Sequence, residues 1–336
     1  MLMPRDMERL QRFADFDWLE CDVPFDRTDW TTVPEDVAAT ALVASRAGDV
    51  DALIVCHGSP RIGPHILDAA PKLRLVGELE GDRFAARIDV EAAEARGVRA
   101  VDTTNGSSYG VAEWALAMAL NATRKAGELF RTMNAGDWRP ESGASGFERF
   151  ELTGKRVGVI GLGIIGRRYV QLLEPFRCAV SAYDPYAPKE VADVLGVQLT
   201  SLDHVLADSD VIVCLAPLTP KTRRMIGARE LDLIKPGSAL VNVSRGPIFD
   251  PDATIARLKR GDISAAFDVW DPEPIPRESP IRQLPNVLLT PHIASQTKDG
   301  RGRFFKLMVD ELERYFHGHD TLYDLTLRTL ANRFGR

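Results

Sequence analysis

The stretch VGVIGLGIIG, residues 157–166, decides the fold of this chain. Its first four residues are apolar or small, which is typical of a strand buried on both faces. Gly161, Gly163 and Gly166 follow in G-x-G-x-x-G spacing, and a helical pattern extends over residues 165–176. This motif between a buried strand and a helix predicts a turn that binds a dinucleotide.

The three glycines have different tasks in such a turn. Gly161 allows the tight turn, Gly163 lets a pyrophosphate approach the backbone, and Gly166 permits close packing of helix on strand. The helix begins near Ile164 and Ile165, and its first N–H groups carry a partial positive charge toward the phosphates. We therefore predict that all five residues bind the cofactor.

Asp184 indicates which dinucleotide is bound. It ends the next strand pattern, AVSAYD, at about the spacing of 20 residues expected after the glycines. A carboxylate there accepts hydrogen bonds from the ribose hydroxyls of NAD and repels the 2′-phosphate of NADP. The sequence therefore predicts NAD, and the alternative is that Asp184 only caps a turn before Pro185.

Strand and helix patterns alternate through most of the chain. Strand patterns occupy residues 52–56, 73–79 and 98–101 in the first third. At least six more follow residue 155, which is the number in a complete dinucleotide-binding sheet. The alternation predicts an α/β fold with parallel sheets and helical crossovers.

Composition excludes several classes of function. The 336 residues suffice for two domains, and a net charge of −6 offers no basic surface for nucleic acid or an anionic membrane. No apolar run reaches the roughly 18 residues that span a bilayer, and residues 1–13 lack the apolar core of a signal peptide. The four cysteines form no CxxC pair, so we expect no metal site, no disulfide framework and a cytoplasmic location.

Polar side chains follow three strand patterns in the second half of the chain. Arg245 follows VNVS, Asp268 and Glu273 lie in FDVWDPEP, and His292 follows VLLTP. Ligands of open α/β sheets bind outside the carboxyl ends of the strands. Arginine, carboxylate and histidine there predict reduction of a carbonyl beside a carboxylate. Singly, each has an alternative: a salt bridge for the arginine, turn caps for the carboxylates and a core hydrogen bond for the histidine.

With these motifs the chain resembles the D-isomer-specific 2-hydroxyacid dehydrogenase family, which uses NAD. The resemblance rests on GLGIIG, APLTPKT, NVSRG, FDVWDPEP and TPHIAS in this order, with VAEWALAM upstream. It is strong over residues 111–295 and weaker at both ends.

The resemblance implies two Rossmann-like or flavodoxin-like domains with doubly wound parallel sheets and an active site in the interdomain cleft. The substrate domain would be discontinuous, comprising residues 1–105 and 296–336. The NAD-binding domain would span residues 106–295. Its helix over residues 111–125 would form the contact of a homodimer.

The family mechanism carries over to matching positions. His292 would donate a proton to the carbonyl oxygen and act as base in the reverse direction. Glu273 would hold the imidazole in the required tautomer, and Arg245 would clamp the substrate carboxylate. Asp268 would bind the nicotinamide carboxamide. The other cofactor contacts implied are Ala216, Pro217, Thr222 and Val243, together with Arg245 and His292.

The segment GELEGDRFAARID, residues 77–89, departs from the family. Relatives have a glycine-rich turn there, whose amides bind the substrate carboxylate. Two interpretations remain open: a solvated charged turn, or a recast substrate pocket in which Arg83 or Arg87 reaches a polar or anionic group beside Phe84. His57, in CHGSP, either contacts the substrate or makes a loop hydrogen bond.

The sequence thus predicts an NAD-dependent oxidoreductase that interconverts a 2-oxo acid and a D-2-hydroxy acid. One alternative is a dehydrogenase on the same scaffold that acts on an unusual small anion or sugar acid. The other is a non-enzymatic, NAD-sensing partner protein. The presence of Arg245, Glu273 and His292 argues against the sensor, because a sensor protein does not need a proton-donating residue.

Overall fold

In a computed structural model of the protein, residues 4–24, 33–80, 86–138 and 148–333 are described. Their strands are β1 (Ala52–Val55), β2 (Leu75–Glu78), β3 (Arg99–Asp102), β4 (Arg156–Ile160), β5 (Ala179–Tyr183), β6 (Gln198–Leu199), β7 (Val211–Cys214), β8 (Ala239–Asn242), β9 (Ser264–Phe267) and β10 (Val287–Leu289). Their α-helices are α1 (Pro4–Leu10), α2 (Val37–Arg46), α3 (Pro64–Asp68), α4 (Val90–Glu94), α5 (Ser108–Thr123), α6 (Ala126–Asn134), α7 (Ile164–Leu173), α8 (Lys189–Val194), α9 (Leu202–Asp208), α10 (Ala228–Leu233), α11 (Pro251–Leu258), α12 (Lys298–Phe316) and α13 (Leu327–Arg333).

The chain divides into two compact units. The first comprises Met1–Ser107 and Thr297–Arg336, and the second comprises Ser108–Gln296. The first unit is discontinuous because the second is inserted between its two segments. Across the described ranges, no helix is both long and apolar enough to span a membrane.

The first unit is built on a parallel sheet in the order β1-β2-β3. The central strand β2 is buried on both faces, since Val76 packs with α2, α3 and α4, whereas Leu75 packs with α1 and α12. Gly77 lies on the α12 face, where a Cβ atom would come within 2.6 Å of Met308. A side chain here would displace the end of the Met308 side chain, so glycine favours the close approach of α12 to the sheet.

The second unit contains a fully parallel sheet in the order β10-β9-β8-β7-β4-β5-β6. From β4 the chain moves outward through β5 and β6, then returns to the other side of β4 with β7. The last residue of β4, Ile160, pairs with Tyr183 on one side and Cys214 on the other. This reversal creates the crevice at which doubly wound sheets bind ligands. The predicted α/β fold with doubly wound parallel sheets is confirmed.

Candidate active site

The glycine motif forms the turn between β4 and α7. Gly161 has φ +97°, a left-handed conformation that disfavours side chains, and a Cβ atom there would lie 2.7 Å from the Ala216 backbone. A Cβ atom on Gly166 would lie 2.2 Å from the Gly161 carbonyl oxygen. Both glycines are therefore required for the turn to pack at the strand reversal.

The first turn of α7 suits a phosphate. Gly163 is the N-cap residue and supplies no side-chain cap, and α7 then runs for 10 residues from Ile164. The N-terminal amides and the dipole of such a helix favour an anion. The uncapped helix start and the two glycines without room for a Cβ atom fit the pyrophosphate of a dinucleotide.

Asp184 follows β5 and is already bound to two backbone amides. Its Oδ2 accepts a hydrogen bond from the Leu162 amide at 2.8 Å, and its Oδ1 accepts one from the Tyr186 amide at 2.9 Å. Turn capping is therefore one of its roles. Each carboxylate oxygen can accept a second hydrogen bond, so the ribose contact stays a prediction compatible with this geometry.

The APLTPKT loop follows β7, beside the glycine turn. Thr222 Oγ1 donates to the Pro217 carbonyl oxygen at 2.6 Å, which closes the loop. The Ser244 hydroxyl donates to the Ala216 carbonyl oxygen, and the preceding residue, Val243, is buried. The four cofactor contacts predicted here thus lie just after β7 and β8, and their contact with NAD stays a prediction.

His292 and Glu273 form a direct contact. His292 Nδ1 lies 2.8 Å from Glu273 Oε2, and Glu273 Oε1 accepts a hydrogen bond from the Trp270 amide at 2.9 Å. Each of the two side chains is 24% exposed, so the pair is partly accessible to solvent. Both oxygens of the carboxylate are therefore engaged, which fixes the plane in which the imidazole can bind.

The electrostatic surroundings keep Glu273 ionised. Burial favours its neutral form, but the hydrogen bond and charge of His292 act in the opposite direction. The Trp270 amide and the charge of Arg245 add to that effect, and the pKa of Glu273 is lowered from its ordinary value. A carboxylate that stays charged can orient the imidazole and stabilise its protonated form.

Arg245 follows β8 and is held close to the Glu273 segment. Its NH1 donates to the Ser244 carbonyl oxygen at 2.8 Å, and its own carbonyl oxygen accepts from the Asn242 side chain at 3.1 Å. The next residue, Gly246, packs against Trp270, whose carbonyl oxygen lies 1.8 Å from where a Cβ atom would be. The loops after β8 and β9 thus touch at a point where only glycine fits.

Asp268 follows β9 and is bound to the histidine loop. It is 1% exposed, and its carboxylate accepts hydrogen bonds from the amides of Ile293 and Ala294 at 3.0 and 2.9 Å. Its carbonyl oxygen accepts from the His292 amide at 2.8 Å. Asp268 therefore holds the backbone around His292, and its predicted contact with the nicotinamide stays a prediction.

Comparison with known proteins identifies the family. Residues 116–294 match the sequence model described as D-isomer specific 2-hydroxyacid dehydrogenase, NAD binding domain. The chain belongs to this family. Its second unit therefore carries the family's NAD-binding domain, which agrees with the cofactor predicted from the glycine turn.

Individual relatives show how far the similarity extends. The chain is 34% identical over 272 residues to D-3-phosphoglycerate dehydrogenase from Methanocaldococcus jannaschii, covering 80% of this chain and 50% of the relative. It is 31% identical over 281 residues to glyoxylate reductase from Korarchaeum cryptofilum, covering 82% and 83%. The chain thus spans about half the length of the phosphoglycerate dehydrogenases and most of the glyoxylate reductase.

Solved structures support the fold. A glyoxylate reductase from Paecilomyes thermophila superposes with a TM-score of 0.76 at 22% identity, covering 97% of this chain and 95% of that one. At this identity the likeness concerns the fold alone.

The family resemblance leaves residues 77–89 unexplained, and the structure resolves part of the question. Arg83 and Phe84 lie outside the described residues. Arg87 NH1 lies 3.2 Å from Glu78 Oε1, and these side chains are only 7% and 0% exposed. Arg87 therefore forms a buried ion pair, and its contact with a substrate stays a prediction. His57 is half-buried in the turn after β1, and its substrate role stays a prediction.

Sequence reasoning missed the groups that support Asp268. The Thr290 hydroxyl donates to Asp268 Oδ1 at 2.6 Å, and the Trp114 indole donates to the same oxygen at 3.3 Å. One signal was present in the sequence, because an aspartate directly after an apolar strand needs several donors to stay buried. The sequence did not indicate that one of them comes from α5.

Proposed function

We propose that this protein is an NAD-dependent oxidoreductase that interconverts a 2-oxo acid and a D-2-hydroxy acid. The observation that carries the proposal is the 2.8 Å contact between His292 Nδ1 and Glu273 Oε2 in a unit with the family's NAD-binding domain. An imidazole held by an ionised carboxylate is suited to proton transfer at neutral pH. Arg245, whose charge acts on Glu273, supplies a cation for an anionic substrate.

NAD, when bound, accepts or supplies the hydride. Because Nδ1 contacts Glu273, His292 would exchange the proton with the substrate oxygen through Nε2. Glu273 would stabilise the imidazolium form before transfer. The guanidinium of Arg245 would bind the substrate carboxylate and stabilise negative charge that develops on the carbonyl oxygen.

The segment GELEGDRFAARID, residues 77–89, supports a second candidate within the same chemistry. It stands where the family resemblance leads us to expect a glycine-rich turn that binds the substrate carboxylate. Charged residues in place of small ones there favour a substrate other than the simplest 2-oxo acids, such as an unusual small anion or a sugar acid. The substrate panel therefore includes both kinds of compound.

The experiment is a substrate screen with the purified protein, following NADH absorbance. The panel contains glyoxylate, larger 2-oxo acids and sugar-derived 2-oxo acids, with D-3-phosphoglycerate and paired D- and L-2-hydroxy acids for the oxidation direction. We expect substrate-dependent turnover and a preference for the D-isomers. Absence of turnover across the panel, while NADH binding is intact, would contradict the proposed function.

A substitution tests the role of His292. His292→Asn should lower kcat by roughly 10²- to 10⁴-fold, the usual contribution of a general acid or base. The Kd for NADH should change much less than kcat, since the glycine turn is untouched. His65→Asn, at an exposed histidine of α3, is the matched control and should keep wild-type turnover.

We also propose that the protein is a homodimer and works in the cytoplasm. Exposed apolar side chains on α5 and α6, among them Leu120, Phe130 and Met133, support the dimer. Free thiols at all four cysteines agree with a reducing compartment.

A further inference from the structure

The backbone of His292 has an uncommon conformation. Its φ is +52°, in the left-handed region that residues other than glycine seldom occupy. The His292 amide donates to the backbone carbonyl oxygen of Asp268, and the next two amides, those of Ile293 and Ala294, donate to its carboxylate. Asp268 therefore holds the backbone of the histidine loop through both its carbonyl group and its side chain.

The position of this carboxylate is itself determined by other donors. Asp268 Oδ1 accepts hydrogen bonds from Thr290, Ile293 and the indole Nε1 of Trp114. Thr290 and Ile293 flank His292 in sequence, so they move with the loop. Trp114 alone among these three donors belongs to a separate element, helix α5, and it can therefore hold the carboxylate relative to the rest of the unit.

Helix α5 is attached to β9 at two points. Trp114 binds the residue that follows the strand, and the Ser264 hydroxyl at the start of the strand donates to the Ala122 carbonyl oxygen at 2.7 Å. Eight residues of helix rise about 12 Å, and four residues of strand extend about 13 Å. The two lengths agree, so both hydrogen bonds form when helix and strand lie side by side in opposite directions.

We propose that Trp114 is a positioning residue for His292 and acts through Asp268. The proposal rests on the proposed role of His292 in proton transfer. Trp114 fixes the carboxylate, the carboxylate fixes the amides of the histidine loop, and the loop sets the distance between His292 and Glu273. Without the indole N–H, the carboxylate keeps its contacts to the loop but can shift together with it.

The test compares two substitutions that each remove one attachment of α5 to β9. Trp114→Phe removes the indole N–H and keeps an aromatic ring, whereas Ser264→Ala removes the hydroxyl at the other end of the strand. Each variant is measured in two ways. Steady-state kinetics give kcat and KM, and NMR of protein labelled with ¹⁵N-histidine follows the imidazole of His292 among the six histidines, assigned with His292→Asn.

We expect Trp114→Phe to lower kcat about tenfold, as expected for loss of a hydrogen bond to a charged group, with a smaller change in KM for the 2-oxo acid, since Arg245 is untouched. The His292 imidazole signal should shift because contact with Glu273 weakens. Ser264→Ala should lower Tm but leave kcat and the His292 signal as in the wild type.

Two results would overturn the proposal. One is an unchanged kcat and an unchanged His292 signal in Trp114→Phe, and the other is an equal effect of both substitutions, which would indicate general loosening of α5. If the wild type reduces no 2-oxo acid, the proposed function fails, and the NMR comparison still decides whether Trp114 positions His292. Should Trp114→Phe fold poorly, Trp114→Leu removes the same indole N–H with another apolar side chain, and an unchanged His292 signal there would likewise contradict the proposal.

Discussion

At His292 the side chain and the backbone are held by different carboxylates. Glu273 contacts Nδ1 of the ring, whereas Asp268 binds the amides of the loop. Glu273 is 24% exposed on its side chain, and Asp268 is 1% exposed. The more accessible carboxylate can respond to the charge of the imidazole, while the buried one keeps the loop in a conformation that costs about 1–3 kcal/mol.

Substitution of Glu273 tests the first of these contacts. The pKa of Glu273 is lowered in the folded protein, so its ionised form stabilises the fold. That stabilisation is fully present above the ordinary value of 4.5 and is lost as the pH falls through the lowered pKa. We expect Glu273→Gln to have a lower Tm than the wild type at pH 5 to 6 and to approach it near pH 3. Thermal unfolding followed by circular dichroism across this range measures the difference.

Glu278→Gln is the control, because Glu278 is an exposed carboxylate in the same loop. It should follow the wild type at every pH. Glu273→Gln should also lower kcat by roughly 10- to 100-fold, the effect of losing a hydrogen bond to a charged group. A Tm difference that stays constant from pH 3 to 6 would show that the charge of Glu273 does not stabilise the fold.

The residues that the sequence placed well are those that follow a buried strand. Arg245, Glu273 and His292 could be predicted to lie near one another because parallel strands bring their carboxyl ends to one edge. The sequence did not indicate the ion pair of Arg87, whose partner Glu78 lies nine positions away in the chain. An arginine in a charged segment gives no sign that a buried carboxylate will bind it.

At the scale of elements, the loops after β8 and β9 contact each other at one glycine. Gly246 lies against the Trp270 carbonyl oxygen, with no room for a Cβ atom. Arg245 precedes that contact, and Glu273 follows it. The relative position of the arginine and the carboxylate therefore depends on a packing contact between two loops.

Gly246→Ala should separate the two loops. A Cβ atom would lie 1.8 Å from the Trp270 carbonyl oxygen, so the backbone must move. Overpacking of this kind typically costs 1–3 kcal/mol, at the order of magnitude seen in other cores, and we expect Tm to fall by several degrees. We expect kcat/KM to fall at least about tenfold, because a misplaced catalytic group loses rate steeply. Kinetics and thermal unfolding check both effects.

Gly48→Ala is the control for this substitution. A Cβ atom there would lie 3.9 Å from its nearest neighbour, the Ala69 carbonyl oxygen, which is an ordinary contact. It should leave kcat/KM unchanged. Wild-type kcat/KM in Gly246→Ala would mean that the contact between the loops does not position Arg245.

Two differences between the predicted and the observed elements have local causes, one in a helix and one in a strand. The apolar pattern predicted one helix over residues 111–125, whereas α5 ends at Thr123 and α6 begins at Ala126. Lys125 stands between them with φ +52°, and lysine is normally a good helix former. Strand β6 has only two residues, which is too short for an alternating pattern to appear.

At the scale of the molecule, insertion of one unit into another explains why the first unit is assembled from both ends of the chain. Helix α12 packs on the same sheet as α1, and Arg9 forms ion pairs with Asp310 and Glu313 across about 300 positions of sequence. Composition and strand count predicted two α/β domains. The discontinuity was implied only by the family resemblance, because no local pattern records which distant segment completes a sheet.

The proposed dimer also belongs to the scale of the molecule, because it depends on exposed apolar side chains. Leu120, Phe130 and Met133 are 37%, 55% and 49% exposed, on the two consecutive helices α5 and α6. Large exposed apolar side chains on two consecutive helices favour a contact with another protein surface, and the proposed partner is a second copy of this chain. The double substitution Leu120→Glu and Phe130→Glu would place two charges in that contact, where desolvation is costly. We expect its dimer dissociation constant to rise at least about tenfold, equivalent to about 1.4 kcal/mol.

Val194→Glu, at an 88% exposed valine of α8, is the control and should sediment as the wild type. Sedimentation velocity over a range of concentrations separates the cases, and a wild type that remains a monomer throughout would refute the dimer.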